Sequence, residues 1–329
     1  MVTTARLAMA FAVTALALTS CGIAPHRSAN GIPSRTDVVV HTGPGGGSDV
    51  FARQVVKLLQ QTKLMNTNWS VRNQTEGSGI GAMSYLRGRR GRDDSIAAIT
   101  PTWLVTPLTL KNSAVSISDV QPVAGLLVEP QLMAVRADSP YRTAADFIDA
   151  ARDQPDRLVQ VGGSITATDS LSGKAMQAQT GANWSYLSFS DSGQRIASLL
   201  RGDAQMMIGA SNDFVEQVRA GKIRVIAAAG DRRVPTFPQI ATLREQGLPI
   251  TGLPEEFRGF VGPPGIPPAA LAHYQDLFKK LVTTPEWTAY AEENGDVTEY
   301  QDAARFGAFL DAQRGSLTTL VRQLKLGPQ

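Results

Sequence analysis

The sequence predicts an α/β fold built as two lobes, and three observations predict it. Apolar runs of strand length alternate with segments of helical period, which implies sheets flanked by helices. The alternation comes in two successive runs, one up to about residue 136 and one from about 137 to 253, after which the chain returns to the first. Each run contains a glycine-rich loop set between a strand and a helix, at 43–49 and at 162–169.

The elements follow in order. Asp37–Thr42 is short and β-branched, with Val38, Val39 and Val40 in succession, as a strand buried on both faces requires. Ser48–Gln61 sets Phe51, Val55, Leu58 and Leu59 on one helical face. Trp69–Arg72 reads as a strand, Glu76–Gly81 as a turn into a helix ending near Arg87, and Ser95–Thr100 as a third strand. Gln121–Arg136 is a long apolar stretch interrupted by Pro122 and Pro130. In the second run, helices at Ala144–Asp153, Ser170–Thr180, Gln194–Leu200 and Asp213–Ala220 alternate with strands at Leu158–Val161, Trp184–Phe189, Ala204–Ile208 and Ile223–Ala229. Phe257–Val261 is a further strand, closed by Gly262-Pro263-Pro264-Gly265, and Pro268–Leu326 is helical in pattern. These boundaries assign 36–136 plus 254–329 to the first lobe and 137–253 to the second.

The N-terminus has the character of an export signal. Arg6 precedes an apolar run, Leu7–Leu18, which is shorter than the roughly 20 residues a membrane span needs. The run ends in Leu18-Thr19-Ser20-Cys21, which resembles a lipobox; the other reading is an ordinary signal with an incidental cysteine. The lipobox reading makes 1–20 a signal peptide, Cys21 a lipidated residue and 21–35 a tether to the membrane. Cys21 is the only cysteine, so the exported domain has no disulfide and rests on its core. Lys and Arg number 32 against 29 Asp and Glu, and the net charge of +3 with no long basic run argues against a nucleic-acid partner.

The two loops carry the candidate chemistry. Gly43-Pro44-Gly45-Gly46-Gly47-Ser48-Asp49 exposes consecutive backbone N–H groups, and the helix behind it adds unpaired donors and a partial positive charge. A carboxylate or phosphate suits such a place. The loop lacks the Lys that a phosphate-binding P-loop needs, and neither it nor Gly77, Gly79 and Gly81 has dinucleotide spacing. Composition leaves two roles open: an anion site, or a tight turn with Ser48 as helix N-cap. Gly162-Gly163-Ser164-Ile165-Thr166-Ala167-Thr168-Asp169 repeats the design, with Thr168 or Asp169 as the competing cap. Asp49 would repel a bound anion, so its carboxylate is expected to turn away and bond the loop backbone.

The order and spacing of these segments resemble the solute-binding subunit of tripartite tricarboxylate transporters, the Bug-type receptors. The matching residues are 43–53, Asn73 with Gly77-Ser78-Gly79-Ile80-Gly81, Gln121-Pro122-Val123-Ala124, Gly162-Gly163-Ser164 with Thr168-Asp169, and Phe257-Arg258-Gly259-Phe260. The resemblance implies a two-lobed periplasmic-binding-protein fold, type II-like, whose facing loops hold one carboxylate in the cleft. Carried to matching positions, it places Gly46, Gly47, Ser48 and Asp49 in one half of the grip and Gly163, Ser164 and Thr168 in the other, while Thr166 is a candidate for its hydroxyl in the same loop. Asn73, Ser78 and Gly79 form a third lining loop. Thr100, Thr102, Ser211 and Asn212 are added because they follow strand ends. Ser48 and Ser170 stand where relatives often carry Trp and His, which leaves citrate-type specificity open.

Three functions remain to be weighed. The first is a monomeric receptor that captures a small carboxylate and passes it to membrane subunits of a transporter. The second keeps the fold but reports the ligand to a membrane sensor. The third, an enzyme, lacks its parts: His26, His41 and His273 are scattered, no His-Glu-x-x-His or Gly-x-Ser-x-Gly motif occurs, and no catalytic, metal-binding or cofactor-binding set is expected. His41, Arg72 and Arg258 are left open as further ligand contacts.

Overall fold

The computed structural model describes residues 32–230 and 232–327; the signal, Cys21 and most of the tether lie outside them. The first lobe begins with β1 (Arg35–Val40), α1 (Gly47–Gln61), β2 (Asn68–Asn73), α2 (Ile80–Arg87), β3 (Ser95–Ile99), α3 (Thr102–Thr109) and β4 (Gln121–Glu129). The second comprises β5 (Gln131–Arg136), α4 (Ala144–Asp153), β6 (Val159–Gly162), α5 (Thr168–Thr180), β7 (Ser185–Ser188), α6 (Ser192–Arg201), β8 (Met206–Ala210), α7 (Ser211–Arg219) and β9 (Ile223–Ala228). The chain then returns through β10 (Glu256–Gly262), α8 (Pro268–Leu281), α9 (Pro285–Asn294), β11 (Val297–Gln301) and α10 (Ala303–Gln323).

Two sheets result, of order β11-β4-β10-β3-β1-β2 and β7-β6-β8-β5-β9. Successive strand residues serve opposite faces. Val38 and Val40 join the core under α1 and α8 with Phe51, Phe260 and Phe278, while Val39 joins the core on the other face with Trp103, Phe257 and Phe306. In the second sheet Met133 and Val135 face Phe147 and Trp184, and Leu132 and Ala134 face Phe214. This double burial explains why the strands read as continuous apolar runs rather than as an alternating pattern.

Three expectations change. First, the change of sheet falls at Pro130, within ten residues of the expected crossing near 137: β4 pairs in the first sheet and β5 in the second, with one residue between them. The apolar stretch 121–136 is therefore two strands of two sheets. Proline supplies no N–H to continue a ladder, so the break falls there. Second, the sheets are mixed rather than parallel. β1, β2 and β3 run parallel, as do β6, β7 and β8, but β10 is antiparallel to β3 and β4, and β5 to β8 and β9. Strands carrying the chain toward the crossing end there; β5 and β10 begin there and must run the other way. Third, α3 was not recognised, and β11 interrupts the C-terminal segment read as wholly helical; it adds an antiparallel edge strand to β4.

Local signals account for many boundaries. α4 opens with a capping box in which Asp146 N donates to Thr143 Oγ1 at 3.1 Å and Thr143 N donates to Asp146 Oδ2 at 3.0 Å. α5 stops at Gly181, which takes the left-handed conformation at φ 72°. α5 also spans the lobes, because its Leu171 and Ala175 pack in the first-lobe core beside Leu104. At the centre of the first sheet a Cβ on Gly259 would lie 2.5 Å from Phe306 Cζ and 2.6 Å from the Ala124 carbonyl oxygen. Gly259→Ala is therefore expected to destabilise the protein by about 2 kcal/mol through overpacking, read as a lower urea midpoint at unchanged slope.

Candidate functional site

The loops at the carboxyl ends of β1 and β6 fold alike. In the first, Gly46 N donates to Gly43 O at 3.0 Å; in the second, Ala167 N donates to Ser164 O at 2.9 Å. The residues closing these turns cap the following helices with nearly identical backbones, Gly46 at φ −74°, ψ 158° and Ala167 at φ −75°, ψ 157°. Neither cap uses a side chain, so Ser48, Thr168 and Asp169 are not N-caps. Asp49 N is taken by Thr42 Oγ1 at 3.1 Å. The N–H groups of Gly47 and Ser48, and of Thr168 and Asp169, meet no acceptor among the described residues.

Each loop is braced by its own carboxylate. Gly45 N donates to Asp49 Oδ2 at 3.0 Å, and Gly45 holds φ at +79°, a conformation suited to glycine. Asn73 Nδ2 donates to Asp49 Oδ1 at 2.9 Å and to Thr42 O at 2.7 Å, and Arg53 closes on the same carboxylate at 2.9 Å. Burial opposes ionisation of Asp49, but the bonds from Arg53, Asn73 and Gly45 prevail and hold its carboxyl below the usual range. Asp49 thus turns away from the cleft as expected. In the second loop Gly163 N donates to Asp169 Oδ2 at 2.6 Å, with Tyr186 Oη 3.3 Å from the same oxygen. Burial, the largest influence, pushes this carboxyl up against the pull of Arg195.

Both loops open onto one cavity of about 580 Å³ between the lobes. Gly47, Ser48, Ser78, Thr100 and Thr102 line it from the first lobe, and Gly163, Ser164, Thr168 and Asn212 from the second. Six other candidates lie behind the wall. Gly46 is packed inside its own turn, where a Cβ would sit 2.6 Å from Thr42 Cβ. Asp49 and Asn73 brace the loop. Gly79 lies under Trp103, whose Cδ1 would be 3.1 Å from an added Cβ. Thr166 Oγ1 lies 3.2 Å from Thr106 Oγ1 and links the lobes. Ser211 is buried and accepts from Thr236 Oγ1 at 3.1 Å. Thr168 lines the cavity, yet its hydroxyl donates to Glu256 of the first lobe, so it acts as a strut between lobes. Arg72 is out on the sheet edge, paired with Asp37 at 3.3 Å. His41 and Arg258 do line the cavity.

The sequence reading missed the charged wall. Glu129, Asp169, Asp213 and Glu256 face the cavity with Arg195 and Arg258, and Gln131 and Tyr290 join them. A signal existed: Glu129 and Gln131 flank Pro130 within an otherwise apolar stretch, and Glu256 and Arg258 alternate onto one side of β10. Arg258 Nη2 bonds Glu129 Oε2 at 2.7 Å, lies 3.8 Å from Glu256 Oε1, and its Nη1 is 3.4 Å from Ser48 Oγ. Burial alone would lower the pKa of this guanidinium, but Glu129 and Glu256 raise it further. Arg195 forms no ion pair among the described residues; its Nη2 reaches only Ser192 Oγ, and its buried Nε has no partner.

A crevice between two α/β lobes, with an exposed helix start from each, defines a solute-binding protein of the periplasmic class. The chain matches the model of the tripartite tricarboxylate transporter family receptor over residues 52–326 and belongs to that family. It is similar to a UPF0065 protein of Bordetella pertussis, 23% identical over 303 residues that cover 92% of this chain and 93% of the relative. Among solved structures it resembles the periplasmic binding protein BugD, at TM-score 0.80 and 18% identity over 90% of this chain and 99% of the other. A Rhodopseudomonas palustris protein solved with adipate superposes at TM-score 0.81 and 20% identity, over 90% and 98% of the two chains. MatC of the same organism, solved with malate, gives 0.77 at 19% identity over 87% and 98%.

Burial, then the neighbouring Glu129, raises the Glu256 pKa from 4.5 to about 7 despite Arg258. The folded state therefore binds a proton more tightly than the unfolded state, and this contribution to stability is full below pH 4.5 and lost as pH rises through about 7. Glu256→Gln, which keeps an acceptor for Thr168, is expected to raise the melting temperature by about 2 °C or more above neutrality and to give no gain in acid. Melting curves across pH measure the crossing.

Proposed function

We propose that this protein captures a small carboxylate in the cleft and delivers it to the membrane subunits of a tripartite transporter. One observation carries the reading: two loops of the same backbone geometry, one per lobe, offer unpaired amides to a single cavity. Amides at helix starts attract an anion through fixed partial charge, and the loop carbonyls and bracing carboxylates hold the rest of the turn in place. Arg195, which acts on Asp169 and Asp213 without closing an ion pair among the described residues, supplies charge from the second lobe. The adipate and malate found with two solved relatives support the ligand class. Closure of one lobe on the other presents the filled receptor to the transporter, and only contacts made by the ligand in the closed state can stabilise it. In this reading the protein acts as a monomer, exported behind residues 1–20 and tethered through lipid on Cys21.

The purified protein should melt several degrees higher in excess of a matching carboxylate, as a ligand at about 100 times its Kd adds about 2.7 kcal/mol. Succinate, malate, adipate and citrate form the first panel. A Cβ on Gly47 would meet Arg258 Nη2 at 3.3 Å, at the cleft wall. Gly47→Val is therefore expected to abolish the ligand-dependent rise while leaving the ligand-free melt within about 2 °C. Gly46→Val, which clashes inside the turn, is expected to lower the ligand-free melt as well. No rise with any of the four acids, or a rise untouched by Gly47→Val, would refute the site.

A further inference from the structure

We propose that His41 is a hydrogen-bond donor to the bound carboxylate, through Nε2–H of a tautomer fixed by Trp103. This rests on the carboxylate reading of the cleft and adds to it a residue outside the glycine loops' own amides. Trp103 Nε1 donates to His41 Nδ1 at 3.0 Å. An indole N–H can only donate, so Nδ1 must present its lone pair. Ser48 Oγ, 3.4 Å from the same nitrogen, can only add a second donor to it. A neutral imidazole with Nδ1 unprotonated carries its proton on Nε2.

The indole is positioned to impose this choice. Trp103 is fully buried on α3 and meets the imidazole edge-on, with ring centroids 6.1 Å apart and planes at 82°. Gly79 lets it approach, since a side chain there would meet the indole at 3.1 Å. A doubly protonated ring would set a second N–H against the indole donor. Burial, helped by the positive charge of Arg258, also lowers the His41 pKa to about 3 and so disfavours the imidazolium. Nε2 finds no acceptor among the described residues, and the ring lines the cavity beside Thr42 and Ser48. Nε2–H is therefore left to the cleft, where an oxygen of the ligand can accept it.

The test has one arm without mutation and one with it. Spectra of the protein labelled with ¹⁵N in histidine should show His41 as the Nε2–H tautomer from about pH 5 to about pH 8. Its Nε2 resonance should move when the acid from the succinate, malate, adipate and citrate series that gives the largest melting shift is added. An Nδ1–H tautomer, an imidazolium in that range, or an unmoved Nε2 resonance overturns the proposal. In the second arm, glutamine places its amide N–H near the Nε2 position and asparagine does not. His41→Gln should stay within about threefold of the parent affinity, while His41→Asn and His41→Leu lose about tenfold or more. Equal affinity in all three overturns the role of His41 and leaves the carboxylate site standing. Absence of any melting shift with the four acids in the unaltered protein overturns both. Should the variants fail to fold, the spectra of the unaltered protein decide the matter.

Discussion

A guanidinium buried at the place where the chain changes lobes is the constraint on which the rest depends. Arg258 sits between Glu129, the last residue of the outgoing strand, and Glu256, the first residue of the returning one. A charge withdrawn from water costs several kcal/mol unless it is paired and bonded, so Arg258 and Glu129 must stay together. That requirement ties the two crossings to each other at the base of the cleft. The same guanidinium reaches Ser48 and limits the space beside Gly47, which ties the crossing to the first glycine loop. Thr168 completes the link by bonding Glu256 from the second lobe.

The two loops solve one problem in the same manner. A run of bare amides is useful only if it is held open, and glycine-rich backbone does not hold itself. A carboxylate at each helix start takes one glycine N–H of its own loop, Asp49 for Gly45 and Asp169 for Gly163, and the amides of Gly47, Ser48, Thr168 and Asp169 stay without a protein acceptor among the described residues. Asp49 is charged and clasped by Arg53 and Asn73; Asp169 is more deeply buried and its ionised form is less favoured. The cleft therefore combines a recognition surface of neutral donors with a floor rich in acids: four lining carboxylates against two guanidiniums.

Much of this was legible in the sequence. Val38–Val40, the face of Phe51, Val55, Leu58 and Leu59, the stop at Gly181 and the turn before Pro268 are local facts, and local propensity and period report local facts. The loops 43–49 and 162–169 were legible for the same reason, as was the turning away of Asp49, which follows from like charges. The family followed from the order of such segments. What the sequence alone misplaced was whatever depends on partners distant along the chain. Gln121–Arg136 carries one hydrophobic signal although its halves lie in different sheets, because burial looks the same in either core. Thr166, Ser211 and Gly79 had the right chemistry for a pocket, but packing spends them on Thr106, Thr236 and Trp103.

The sequence by itself determined most strands and helices, though not α3 or β11, together with the two loops and their order, since each of these is decided by contacts within a few residues. Only the tertiary structure decided which surfaces share a cavity. Glu129, Arg258, Thr168 and His41 come together because two sheets meet at Pro130 and bring together side chains far apart along the chain, 129 residues for Glu129 and Arg258. No local period encodes that distance; burial of charge and of the two apolar faces of each sheet does.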